Sequence, residues 1–151
     1  MTLSPDDYIF KLRNTKVENE LACLLRKEAE SQRFLFIEEL LSHTELPVRL
    51  VGLELIKRCL TDKNLIERLL NKGLQAADIS EIKYWLNAIT PKLGFRRVLS
   101  VVTEQLEEHE ERVEKALFWL PSFLPDRNPK AVILLEELTR KFNSRSERRM
   151  G

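Results

Sequence analysis

Glycine is scarce: four occur in 151 residues. A sheet protein with many tight turns normally needs more, so an all-β fold is not expected. An excess of charge of one sign is also lacking. The 25 Lys and Arg residues face 24 Asp and Glu, for a net charge of +1, which removes strong general attraction to polyanions. No run of about 18 uncharged apolar residues exists, so a membrane-spanning helix is not expected. The start, MTLSPDDYIFKLR, has neither the basic flank nor the continuous apolar stretch of a secretory signal. The two cysteines, Cys23 and Cys59, each fall within a helical apolar pattern. They read as buried thiols in a reducing compartment, and the expected location is cytoplasmic.

Chemistry-bearing motifs are missing too. No phosphate-binding loop, Gly-rich dinucleotide fingerprint or Gly-x-Ser-x-Gly elbow is present. The histidines, His43 and His109, have no Cys, Asp or His partner at a metal-ligand spacing. Glu38-Glu39, Glu107-Glu108 and Glu136-Glu137 are adjacent on expected helices, where neighbouring side chains diverge by about 100° and make poor acid–base pairs. No catalytic residue, cofactor site or metal site is therefore expected, and the chain does not read as an enzyme.

What remains is 43% apolar and 32% charged residues, enough to order one domain with a sizeable core. The apolar residues recur at three- and four-residue spacing throughout, with no sustained strand alternation. Ser4-Pro5-Asp6-Asp7 starts a short helix burying Tyr8, Ile9 and Leu12. Thr15-x-x-Glu18 opens a helix with Val17, Leu21, Leu24 and Leu25 inward. Further helices are expected over 32–41, over 47–60, and from Thr61-Asp62 to a stop at Gly73. Asp78-x-x-Glu81 opens another, which Pro91 should kink or end. Helices over 95–106 and 113–120 follow, and a last one runs from Asn128-Pro129 to Phe142. The tail, NSRSERRMG, has no apolar face and is expected to be disordered.

These helices repeat with a period of roughly thirty residues. Leu53, Leu86 and Leu117 form one column, Ile56, Ile89 and Leu120 the next, and Leu60, Leu93 and Leu124 a third. Phe34, Leu65, Val98 and Val132 align in the first helices. A compact bundle with regular helix lengths would give similar columns, so both arrangements stand. The segment Leu46-Pro47-Val48-Arg49, followed by Leu53 and Ile56, is similar to the start of the second helix in HEAT-like repeats of the armadillo/HEAT class. Asp78 to Ile89 and Glu111 to Leu120 resemble it more loosely and lack the Pro-Val-Arg trio. The resemblance implies an all-α, right-handed α-solenoid of about eight to nine helices. It assigns residues 1–31 to N-terminal capping helices, 32–142 to HEAT-like helix pairs of a single domain, and 143–151 to a disordered basic tail. Members of such families mostly bind proteins and occasionally nucleic acids.

The resemblance also suggests where a partner would sit. Second helices line the concave face of a HEAT-like solenoid, and Tyr84, Trp85, Phe118 and Trp119 lie on them. Tyr84 and Phe118 fall off the core columns. They read either as anchors for a protein partner or as packing between repeats. Glu54, Arg58, Tyr84, Asn87 and Phe118 are the candidate partner-binding residues. The alternative is a nucleic-acid-binding repeat using Arg96, Arg97, Arg127, Lys130 and the basic tail. Against it stands the acidic stretch Glu104, Glu107, Glu108, Glu110, Glu111 and Glu114, a wet helix face or a steering surface for a basic partner.

Overall fold

The computed structural model describes residues 15–124 and 128–150, with the side chains of Thr15 and 146–150 not described. The described residues form eight α-helices and two one-turn 3-10 helices, with no strand. The helix expected over 5–13, with Tyr8, Ile9 and Leu12, lies outside the described residues, as do Pro125 and Arg127. None of the described helices is long and apolar enough to cross a membrane. The chain divides into two compact units, 1–66 and 67–151.

The first unit holds α1 (Thr15–Arg26), α2 (Glu30–Leu41), α3 (Leu46–Cys59) and the first turn of α4 (Lys63–Ala76). The antiparallel partners α2 and α3 pack most closely, and α1 lies against both. Their core is Leu21, Leu25, Ile37, Leu40, Leu55 and Ile56, each almost fully buried. Gly52 permits the close crossing, because a β-carbon there would lie 3.0 Å from Leu41 Cδ2 and 3.2 Å from Leu40 Cβ.

One guanidinium holds the helix ends together. Arg33 donates to the carbonyls of Glu28 (3.0 Å), Arg26 (2.7 Å) and Cys59 (3.0 Å). Arg26 donates in turn to the Arg58 carbonyl at 3.2 Å. The last carbonyls of α1 and α3, unsatisfied within their own helices, thus receive charged donors. Beside them Glu30 reaches from the first turn of α2 to the start of α4. Its carboxylate accepts from the backbone N–H of Thr61 and of Asp62 (2.6 Å) and from the Thr61 hydroxyl. Burial pushes the Glu30 carboxyl up, but the bonds from Asp62 and Thr61 and the charge of Arg33 outweigh it and hold the pKa below the ordinary value. Asp62 itself caps α4, accepting from Asn64 N–H at 2.9 Å and Leu65 N–H at 3.3 Å.

In the second unit the rest of α4 leads to a 3-10 turn (Ile79–Glu81), α5 (Ile82–Leu93), α6 (Phe95–Glu104), α7 (Glu110–Trp119), a second 3-10 turn (Leu120–Phe123) and α8 (Pro129–Met150). Helix α5 packs on α6 and α7, and α6 on α7 and α8. Asp78 caps the turn before α5, accepting from Ser80 N–H at 2.9 Å, and Asn128 accepts from Ala131 N–H at 3.2 Å to start α8. Gly94, with φ 96°, lets α6 follow α5 after a single residue.

Several local expectations give way to tertiary packing. Gly73 does not stop its helix, since α4 runs on to Ala76. Its missing side chain instead admits Trp85, because a β-carbon there would lie 2.5 Å from Trp85 Cε3. Pro91 does not end α5, which continues to Leu93 and stops at Gly94. Cys59 is buried as expected, but Cys23 is exposed. Leu24 (37% exposed) and Val132 (38%) also leave their expected inward positions. Residues 143–150, expected to be disordered, continue α8. The reason is visible at Arg145, whose guanidinium donates to the Glu107 carbonyl at 3.1 Å and pairs with the Glu107 carboxylate at 3.4 Å.

Candidate functional site

Helix α7 completes its core contacts with Val113, Ala116 and, just beyond its end, Leu120, all fully buried. Phe118 is left over and is 69% exposed. An exposed phenylalanine is unremarkable alone, but this one borders a groove and is flanked by charge. Its ring meets Trp119 edge-on, with centroids 5.0 Å apart. Lys115 Nζ stands 5.6 Å from the Phe118 centroid, and Lys83 Nζ stands 4.5 Å from that of Trp119. Both cations lie within the range of attraction to an aromatic face. The Trp119 indole Nε1 is buried with no acceptor among the described residues.

The groove runs between α7 and the second half of α8 as two adjoining hollows. The larger, about 660 Å³, is floored by Ile79, Leu117 and Phe142, with Phe118 on its wall. The smaller, about 520 Å³, is floored by Leu117, Pro121 and Leu135. Thr139 borders both, and its hydroxyl donates to the Leu135 carbonyl at 2.8 Å, so its donor is already used. Glu111 and Glu114, both exposed, stand at the first hollow, while Glu136 and Arg140 stand at the second. Neither Glu111 nor Glu114 forms an ion pair among the described residues.

The walls are held in place from behind. Arg112 of α7 donates to the Ala77 carbonyl at 2.7 Å, and Arg145 fixes the far end of α8 to Glu107. Buried Gln105 donates to Asn71 Oδ1 at 2.9 Å, anchoring the segment between α6 and α7 to α4.

Of the expected partner-binding residues, Phe118 lines this groove. Tyr84 (46% exposed) and Asn87 are exposed on α5 but do not line it. Glu54 and Arg58 belong to the first unit. Glu54 pairs with Lys57 one turn along its own helix, at 3.6 Å. Arg58 bonds Asn19 Oδ1 at 2.9 Å and faces the Glu18 carboxylate at 3.8 Å, which commits it to holding α1 against α3. Leu117, expected in a core column, is only half-buried and floors the groove. Leu135 and Phe142 lie in the helix expected to end at Phe142, and only Asn143 and Ser144 of the groove lining come from its extension.

Some of the described basic residues are matched by acids, while Arg127 and the side chains of Arg148 and Arg149 lie outside the described residues. Arg97 pairs with Glu67 at 3.1 Å. A further hollow of about 330 Å³ between α6 and α8 carries Arg96 and Lys141 but also Glu104 and Glu137. Among the described residues no three His, Cys, Asp or Glu side chains are placed to hold a metal ion. Comparison with protein-family models, with characterised proteins and with solved structures returns no match to this chain.

Proposed function

We propose that this chain is a non-enzymatic interaction module of HEAT-like helix pairs that binds a protein partner, with the α7–α8 groove as its contact surface. The observation that carries the reading is Phe118: its helix has completed its buried face without it, yet it projects 69% exposed at the wall of an apolar-floored groove. Aromatic residues at the rim of such a hollow are the usual anchors of protein interfaces. The α-solenoid itself rests on the pair α2–α3, where the Pro-Val-Arg trio has three separate tasks. Pro47 sits in the first turn of α3, Val48 is buried, and Arg49 donates to the His43 carbonyl of the turn at 2.8 Å. Two free thiols, one exposed, are in keeping with action in the cytoplasm.

Nucleic-acid binding is the weaker reading. Arg26, Arg33, Arg49, Arg58, Arg97, Arg112 and Arg145 already donate to carbonyls or side chains of this chain. Guanidinium groups so engaged are poorly available for phosphates.

The test is affinity capture from the native host with the full chain and its Phe118→Asp variant, each with and without nuclease. Protein partners that survive nuclease and are lost with Phe118→Asp are expected. Loss of every partner on nuclease treatment, or capture indifferent to Phe118→Asp, would refute the reading.

A further inference from the structure

The groove has features that specify its occupant, and from them we infer that it takes an amphipathic helix of a partner protein carrying basic residues at one end. This rests on the interaction reading above and adds the chemistry of the partner. The first argument is backbone satisfaction. Both walls are helices, whose interior N–H and C=O groups are already paired within the helix. Such walls offer no sheet edge. An extended peptide laid along the apolar floor would lose water from its own backbone groups and gain no partners, at a cost for each group left bare. A helix satisfies its backbone internally and presents only side chains, which is the helix-in-groove mode of recognition.

The second argument is size. From Leu135 to Ser144 the α8 wall advances about 14 Å, at about 1.5 Å per residue. That matches an occupant of about ten helical residues, or three turns. Two hollows of about 660 and 520 Å³, meeting at Leu117, call for large apolar anchors a turn or two apart. Phe118 would pack beside the first of them.

The third argument is charge. At the end of the groove nearest Phe142, Glu111 and Glu114 are exposed and form no ion pair among the described residues; Lys115 also lines this hollow, but it stands over the Phe118 ring and is outnumbered by the two carboxylates. They belong to the run from Glu104 to Glu114, in which Arg145 engages Glu107. At the other end Glu136 and Arg140 stand one turn apart and roughly offset each other. Lysine or arginine is therefore favoured at the Glu111–Glu114 end, and an acidic residue there would be repelled.

The test is a displayed library of helical 14-residue peptides, selected on the immobilised full chain and counter-selected on its Phe118→Asp variant. Enriched peptides are then titrated by fluorescence anisotropy. The expected consensus has apolar residues at i, i+3 or i+4 and i+7, with Lys or Arg clustered at one end. Phe118→Ala should weaken these peptides about tenfold or more. Glu111→Lys with Glu114→Lys should weaken them similarly and bind better those peptides whose basic residues are replaced by glutamate. Both changes lie at exposed positions, and unchanged thermal melts confirm that the variants fold. An acidic or charge-neutral consensus, binding untouched by Phe118→Asp, or no enrichment above background would each overturn the inference. If that happens while host-protein capture still depends on Phe118, the interaction reading stands and only the partner chemistry is refuted. Capture indifferent to Phe118 refutes the interaction reading whatever the peptides show.

Discussion

Replacing Gly73 by alanine sets two effects of opposite sign against each other. In an exposed helix interior the change should stabilise by about 1 kcal/mol. Here the new β-carbon would lie 2.5 Å from Trp85 Cε3, 2.8 Å from Cζ3 and 2.9 Å from Cδ2. Optimal carbon–carbon separation is about 3.5–4.0 Å, so the overlap is about 1 Å against three atoms of a rigid ring. Trp85 is 5% exposed and cannot swing aside without leaving the core. Overpacking of this kind costs about 1–3 kcal/mol, and a clash with an immobile ring belongs at the upper end. The net loss should be about 1–2 kcal/mol, or about 3–8 °C in Tm for a chain of this size. Thermal unfolding followed by tryptophan fluorescence reads it directly, since Trp85 and Trp119 are both in the second unit. In a Trp85→Leu background the same alanine should be neutral or stabilising. Gly52→Ala, with nearest contacts of 3.0 and 3.2 Å, should lose less than about 1 kcal/mol. A Gly73→Ala protein as stable as the parent would refute the close-packing role.

Other substitutions probe the remaining contacts. Arg33→Ala abandons three carbonyls at once and should cost about 2–3 kcal/mol in urea denaturation; a loss no greater than that of Arg58→Ala would refute the clamp. Glu30→Gln should cost about 1 kcal/mol near pH 7. The folded-state pKa of Glu30 lies below its unfolded value, so its contribution is full above the ordinary 4.5 and is lost as pH falls through the folded pKa. The difference between Glu30→Gln and the parent should therefore shrink on acidification below about pH 4, and a constant difference down to about pH 2 would contradict the assignment. Arg145→Ala should leave Tm nearly unchanged but speed amide hydrogen exchange over residues 142–148, because the exposed Glu107 carboxylate adds little beyond the carbonyl bond. Unaltered exchange would mean that α8 is held by other means.

The helical class was legible because apolar spacing is a local property of the chain, and Asp62, Asp78 and Asn128 act as the caps their positions suggest. Misread features depended on residues distant in sequence. Nothing near Gly73 announces that Trp85 needs its space, and nothing in NSRSERRMG announces that Glu107 will receive Arg145. The candidate site followed the same pattern. Phe118 stood out because it lies off the apolar columns, a fact of its own helix. Nothing on its own helix shows that Arg58 is engaged by α1, and the groove brings together α7 and α8 residues that are far apart in sequence.

The manner in which the arginines are used bears on ionic strength. With 32% of residues charged, a fold held by ion pairs would weaken as salt screens them. In this chain many of the arginine contacts end on neutral backbone oxygens: Arg26 on Arg58, Arg33 on three residues, Arg49 on His43 and Arg112 on Ala77. A hydrogen bond between a cation and a neutral peptide dipole depends on contact more than on long-range attraction, so salt weakens it less than an ion pair. Urea midpoints at about 0.05 M and about 1 M sodium chloride should therefore nearly coincide, where the Debye length falls from roughly 14 Å to roughly 3 Å. The consequence is a division of labour between charges: the arginines that tie helix ends to backbone carbonyls respond weakly to salt, while the ion pairs Arg58–Glu18, Arg97–Glu67 and Arg145–Glu107 and exposed carboxylates such as Glu111 and Glu114 are left to respond to it.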